Sequence, residues 1–164
     1  MAFSIRFATA ADIPEIMRLT HALAVYQHME EEFTVTPELL QKWLFEHHMA
    51  EVLLAESRGK AIGFALFFPM FSAFPGLPGL YLQDLYVEQS SRGTGCGRAL
   101  MAELARIAAD RGCDCIEWAC LDWNRPSIAF YQSLGAKPMS DWTAYHLSGD
   151  SLHALGSGSP AAPQ

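Results

Sequence analysis

The sequence predicts one α/β (α+β) domain built on a single mixed, mostly antiparallel, twisted sheet of six to seven strands flanked by about four helices. Apolar residues switch along the chain between a period of three to four and a period of two, so helices and strands alternate irregularly. Residues 51–57 and 60–68 read as neighbouring strands around a turn at Arg58-Gly59. Residues 80–121 read strand, helix, strand, which requires a parallel crossover, expected to be right-handed.

Each element has its own signal. Residues 5–8 begin the sheet as a short strand. Thr9-Ala10-Ala11-Asp12 resembles a capping box, with Asp12 in place of the usual Glu or Gln. The helix behind it carries Ile13, Ile16, Met17, Leu19 and Leu23 on one face, and the acidic segment 26–32 ends or bends it. Thr36-Pro37 is an N-cap and first-turn proline for a second helix reaching about Phe45. Residues 71–79 hold two prolines and two glycines and read as a loop. After the strand 80–87, a helix from Gly95 turns Leu100, Leu104, Ile107 and Ala108 inward and stops at Arg111-Gly112. A strand at 116–121, a helix at 125–134 closed by Gly135, and strands near 136–139 and 143–147 complete the expected fold. The domain is expected over residues 1–149, with 150–164 as a flexible tail.

Composition narrows the function. With 164 residues and 51% hydrophobic content the chain can bury a core. Net charge is −7 with three lysines, which speaks against nucleic acid and suits either a cationic partner or plain solubility. No apolar run is long enough to span a membrane, and the start is not that of a secretory signal. Cys96, Cys113, Cys115 and Cys120 have no metal or redox spacing and read as reduced thiols, so a cytoplasmic protein is expected. His47-His48 lacks a second ligand cluster and reads as a surface pair, so no metal is expected.

The chemistry concentrates in residues 85–98. Leu85-Tyr86-Val87 ends a strand, Arg92-Gly93-Thr94-Gly95-Cys96-Gly97-Arg98 follows, and an amphipathic helix begins. Glycines let a backbone approach a ligand closely, and unpaired amides at a helix start favour an anion such as pyrophosphate. The pattern is neither a P-loop nor a GxGxxG turn. A tight strand-to-helix turn without a ligand is the alternative reading.

The segment Arg92–Gly97 resembles the coenzyme A loop of the GNAT superfamily of acetyltransferases, Gln/Arg-x-x-Gly-x-Gly/Ala. The downstream run from Asp122-Trp123-Asn124 through Ser127, Tyr131 and Gly135 is similar to a second motif of that family. A looser resemblance, carried by Arg6 to Asp12, Tyr26, Met29-Glu30-Glu31, Tyr81-Leu82-Gln83-Asp84 and Asp122-Trp123-Asn124, is to the diamine (spermidine/spermine) N-acetyltransferase branch.

The resemblance implies an N-acetyltransferase that uses acetyl-coenzyme A and a small primary amine, acting as a homodimer. It implies that backbone amides of Leu85, Tyr86 and Val87 receive the thioester oxygen. Residues 92–98 hold the pyrophosphate, and Asn124 and Ser127 touch the pantetheine arm or position Tyr131. Asn124 also reads as a helix cap. The Tyr131 hydroxyl is expected to protonate the departing thiolate. Tyr26, Glu30, Glu31, Gln83, Asp84 and Trp142 are expected on the acceptor side. Glu30 and Glu31 read equally as a solvated helix end, and Trp142 as pocket, dimer seam or packing. The diamine branch has a glutamate where this chain has Gln83, which takes no proton. Strand alternation turns Asp84 to the face opposite Gln83. A non-catalytic acyl-coenzyme A-binding module and a peptide N-acetyltransferase are the rival readings.

Overall fold

The computed structural model describes residues 2–158, which form two compact units divided between Trp123 and Asn124. The first holds β1 (Ser4–Phe7), α1 (Ile13–Gln27), α2 (Pro37–Leu40, continued by a π turn over Gln41–Glu46), β2 (Glu51–Ser57), β3 (Lys60–Ser72), β4 (Leu77–Val87), α3 (Cys96–Asp110) and β5 (Ile116–Glu117). The second holds α4 (Arg125–Ser133) and α5 (Gly149–Gly156).

The five strands lie in sequence order, antiparallel from β1 to β4, with β5 parallel to β4. Val52, Leu54 and Phe64 face α1 and α2, packing with Ile16, Leu19, Leu23 and Leu44. Alternation sends Leu53 and Ala65 to the other face. There α3 lies across β1 to β4 and buries Leu100, Leu104 and Ile107.

The local signals at the entry to α1 and α2 are realised. The Thr9 amide donates to Asp12 at 2.7 Å, while Arg6 ties Asp12 to Glu56 across the first strand pair. The Leu39 amide donates to the Thr36 hydroxyl at 3.3 Å.

Four expectations are corrected. The strands foreseen near 136–139 and 143–147 do not form, so the sheet has five strands rather than six or seven. That segment contains Pro138 and joins no strand among the described residues, and a lone strand leaves its backbone groups without ladder partners. The strand foreseen at 116–121 is shortened to Ile116–Glu117. The loop foreseen at 71–79 is instead largely a two-stranded ribbon, with Phe71 opposite Pro78. β2 pairs β3 only to Phe67, so Pro69 lies on a free edge and its missing N–H costs the sheet nothing. Helix α5 occupies residues first read as the start of the tail, making five α-helices among the described residues. Residues 159–164 of that tail lie outside the described residues.

Candidate active site at the open end of β4

β4 changes character at Gln83. Its pairing with β3 slips there, so that Leu82 lies opposite Phe67 and Asp84 opposite Leu66, leaving Gln83 as the extra, exposed residue. Such a bulge shifts the alternation of the strand by one. Leu80 donates its amide toward β5, to the Cys115 carbonyl, at 3.0 Å. Past the bulge, the Glu88 amide donates toward β3, to Ile62, at 2.9 Å. Counting back by twos, the amides of Tyr86 and Asp84 also turn to β3, and those of Leu85 and Val87 turn to the other edge.

That edge is open. β5 pairs β4 only at Leu80 and Tyr81, and residues 118–121 leave the strand conformation. The amides of Leu85 and Val87 thus face a gap with no partner strand among the described residues.

The gap leads to the glycine loop. A short 3-10 turn, Gln89–Ser91, is fastened by the Thr94 hydroxyl donating to the Ser91 carbonyl at 2.7 Å. Gly93 and Gly95 take φ of 76° and 87°, and a β-carbon on either would meet no atom within 4 Å. Space beside this backbone is therefore free for a ligand. The first intrahelical bond of α3 runs from Ala99 to the Gly95 carbonyl, so the amides of Cys96 and Gly97 precede it at the positive end of a 15-residue helix. Cys96 is 1% exposed, and burial pushes its thiol pKa up, so it offers the loop a backbone amide and no thiolate. Arg98 sits exposed in the same first turn.

Arg92 turns toward an aromatic cluster. Its Nε donates to the Val87 carbonyl at 3.1 Å, and its guanidinium lies 4.6 Å from the ring centre of Tyr26 and 5.7 Å from that of Tyr86. The Trp123 ring approaches Tyr26 at 6.1 Å and His28 at 5.8 Å. His28 ends α1 with φ of 59°, a left-handed conformation that turns the chain there. Trp123 and His28 escaped the sequence assignment of site residues, although Trp123 stood inside the downstream motif. Between α1 and the loop, Ala22, Tyr86, Glu88, Gln89 and Ser90 line an open cleft.

On the acceptor side, Glu30 and Glu31 are exposed in a short 3-10 turn. Asp84 is partly buried, and burial pushes its carboxyl from the ordinary 3.8 to about 6. In the second unit, the Asn124 side chain caps α4 by accepting from the Ser127 amide at 3.3 Å. Tyr131 is partly exposed on α4, its ring 5.3 Å from that of Phe130. Trp142 is 74% exposed. Among the described residues no cluster of side chains suits a metal ion, and no helix is long and apolar enough to cross a membrane.

A mixed sheet opens along one strand, beside a glycine loop and the start of a 15-residue helix. Family comparison gives the particular class: residues 13–136 match the Acetyltransferase (GNAT) family, and the chain belongs to it. It is 32% identical over 168 residues to a thialysine N-epsilon-acetyltransferase of Bos taurus, covering 94% of this chain and 98% of that one. It is 34% identical over 153 residues to the spermidine/spermine N(1)-acetyltransferase-like protein 1 of Homo sapiens, covering 88% of this chain and 22% of the relative. Among solved structures, an integron cassette protein from the mobile metagenome of V. cholerae superposes with a TM-score of 0.81 at 27% identity, covering 95% of this chain and 98% of that one.

Proposed function

We propose that this acetyltransferase moves an acetyl group from acetyl-coenzyme A to a primary amine of a small cationic molecule of the diamine or amino-acid type. The observation that carries the reading is the opening of β4, with two edge amides leading to a glycine loop that has free space above it. The thialysine and spermidine/spermine in the names of these relatives are compounds that carry such amines. A net charge of −7 favours a cationic acceptor.

When bound, acetyl-coenzyme A supplies an activated acetyl thioester. The amides of Gly93 to Gly97, with Arg98 beside them, hold the pyrophosphate in this reading. The edge amides of Leu85 and Val87 donate to the oxygen that gains charge during transfer. Tyr131 donates a proton to the departing sulfur. Tyr26, Glu30, Glu31 and Asp84 form the acceptor side.

Thiol release measured over a panel of diamines, ω-amino acids, aminoglycosides and peptides tests the reading. Turnover is expected with diamines or ω-amino acids and not with peptides. Turnover with peptides alone would make it a peptide acetyltransferase, and binding of acetyl-coenzyme A without turnover would leave a sensor module. Tyr131→Phe is expected to lower kcat about 100-fold with little change in acetyl-coenzyme A affinity. An unchanged kcat would make the tyrosine a packing residue.

A further inference from the structure

An alkylammonium has no lone pair, and with a pKa of about 10.4 only about one molecule in a thousand is neutral near pH 7.5. Some group must take its proton. Gln83 is exposed in the bulge and accepts no proton, so the chemistry passes to a neighbour.

The bulge selects that neighbour. Residues directly opposite in an antiparallel pair share a face. Asp84 lies opposite Leu66 and Tyr86 opposite Phe64, and Leu66 and Tyr86 both pack against the cluster formed by α1 and α2. Asp84 therefore belongs to the face that carries Tyr86 and, across the cluster, Tyr26. An unbroken strand would put Asp84 on the face of Leu82, under α3. Asp84 also directly precedes Leu85, the first residue past the bulge whose amide faces the open edge.

We propose that Asp84 is the proton acceptor for the incoming amine, placed on the acceptor face by the bulge at Gln83. This rests on the amine acetyltransferase reading. The carboxylate oxygen gains an O–H bond, directly or through one water, as an N–H bond of the ammonium breaks and leaves its electron pair on nitrogen. The neutral nitrogen then takes the acetyl group, forming C–N as C–S breaks. Its second proton balances the one with which coenzyme A leaves as a thiol, and Asp84 returns its proton to solvent.

The other charged and titratable groups around this face do not replace it: Glu30 and Glu31 stand exposed in the 3-10 turn that follows α1. Tyr86 and Tyr26 are phenols whose rings pack against the Arg92 guanidinium, a cation. His28 packs on Trp123. Glu88 is bound to Arg18 and Lys60, whose charges outweigh its burial and hold its carboxyl below the usual range. The raised pKa of Asp84 leaves a carboxylate that is ionised at neutral pH yet more basic than an exposed one.

The test compares wild type, Asp84→Asn and Asp84→Glu, all checked for folding by circular dichroism, with a diamine and with trifluoroethylamine, which is largely neutral near pH 7.5. With the diamine, Asp84→Asn is expected to lower kcat about 100-fold and to make kcat/KM rise about tenfold per pH unit from 7 to 9. With trifluoroethylamine the variant is expected to match wild type, and Asp84→Glu to recover part of the diamine rate. Equal losses on both amines, or a raised KM with unchanged kcat and pH profile, would overturn the proposal and make Asp84 a structural or binding charge. If Asp84→Asn fails to fold, the wild-type profile decides: a fall in diamine kcat/KM below about pH 6 supports the proposal and a flat profile there overturns it. Wild type that acetylates neither these nor any other amine of the panel would instead defeat the amine acetyltransferase reading itself.

Discussion

The two halves of β4 do different work with the same backbone. From Leu77 to Leu82 the strand is scaffold: it pairs β3 on one side and, at Leu80 and Tyr81, β5 on the other. From Asp84 to Val87 it keeps β3 but pairs with no strand on its second edge among the described residues, so the amides of Leu85 and Val87 face outward there. Gln83, the inserted residue, separates the halves. An edge strand is ordinarily a hazard that proteins cover or blunt. Here the exposed edge sits beside a glycine loop, and in the proposed function it serves as a binding surface.

Three substitutions test this division, ordered by expected effect. Gly95→Val attacks the open half through its loop. Gly95 holds φ of 87°, which strains any side chain, and the free space beside it is where a ligand would lie. A β-branched residue there costs roughly 1–2 kcal/mol of strain, which a typical domain survives. Acetyl-coenzyme A affinity measured by calorimetry is expected to fall about 100-fold, or about 2.7 kcal/mol. A folded variant with unchanged affinity would remove the loop from the site.

Gly79→Val attacks the scaffold half. A β-carbon at Gly79 would stand 3.0 Å from Cys115 Sγ and 3.2 Å from Met70 Cγ. Overpacking of this kind costs about 1–3 kcal/mol. Thermal stability is expected to fall while KM and kcat per folded molecule hold. A large loss of kcat without a loss of stability would show that the halves are coupled.

Asp84→Asn is expected to change stability in the opposite direction. Burial raises its folded pKa from 3.8 to about 6, so the folded state binds this proton more tightly than the unfolded chain does. The resulting stability is fully present below pH 3.8, and it is lost as pH rises through about 6. Above that range the charged carboxylate costs stability, and Asn removes the charge. Denaturation at neutral pH is expected to show the variant more stable than wild type, with the difference shrinking toward pH 4. A variant less stable than wild type at neutral pH would mean that Asp84 makes favourable contacts as a carboxylate.

Much of the frame was legible because local chemistry dictates it. Thr9 with Asp12, Thr36 with Pro37, and Asn124 with Pro126 mark helix starts through side chains that satisfy or dispense with terminal amides. Arg92 to Gly97 was legible as a tight strand-to-helix turn because positive φ restricts the choice of residue at Gly93 and Gly95. The strands foreseen near 136–139 and 143–147 misled because alternation describes a residue pattern and cannot supply a pairing partner. Residues 71–79 misled in the other direction, since prolines that break a central strand are tolerated on a free edge.

The sequence by itself determined which groups are available: a glycine loop at a helix start, a tyrosine on the downstream helix, and a glutamine followed by an aspartate on the strand between. Tertiary structure decided what the aspartate faces. Strict alternation sets Asp84 on the side of Leu82, under α3, and away from Gln83. The slip in register against Leu66 and Phe67 reverses its side relative to Leu82 and carries Asp84 to the face shared by Tyr86, α1 and α2. That slip depends on how two strands dock with their opposite faces buried by different helices. Register of this kind is a property of the packed pair and is not encoded in either strand alone.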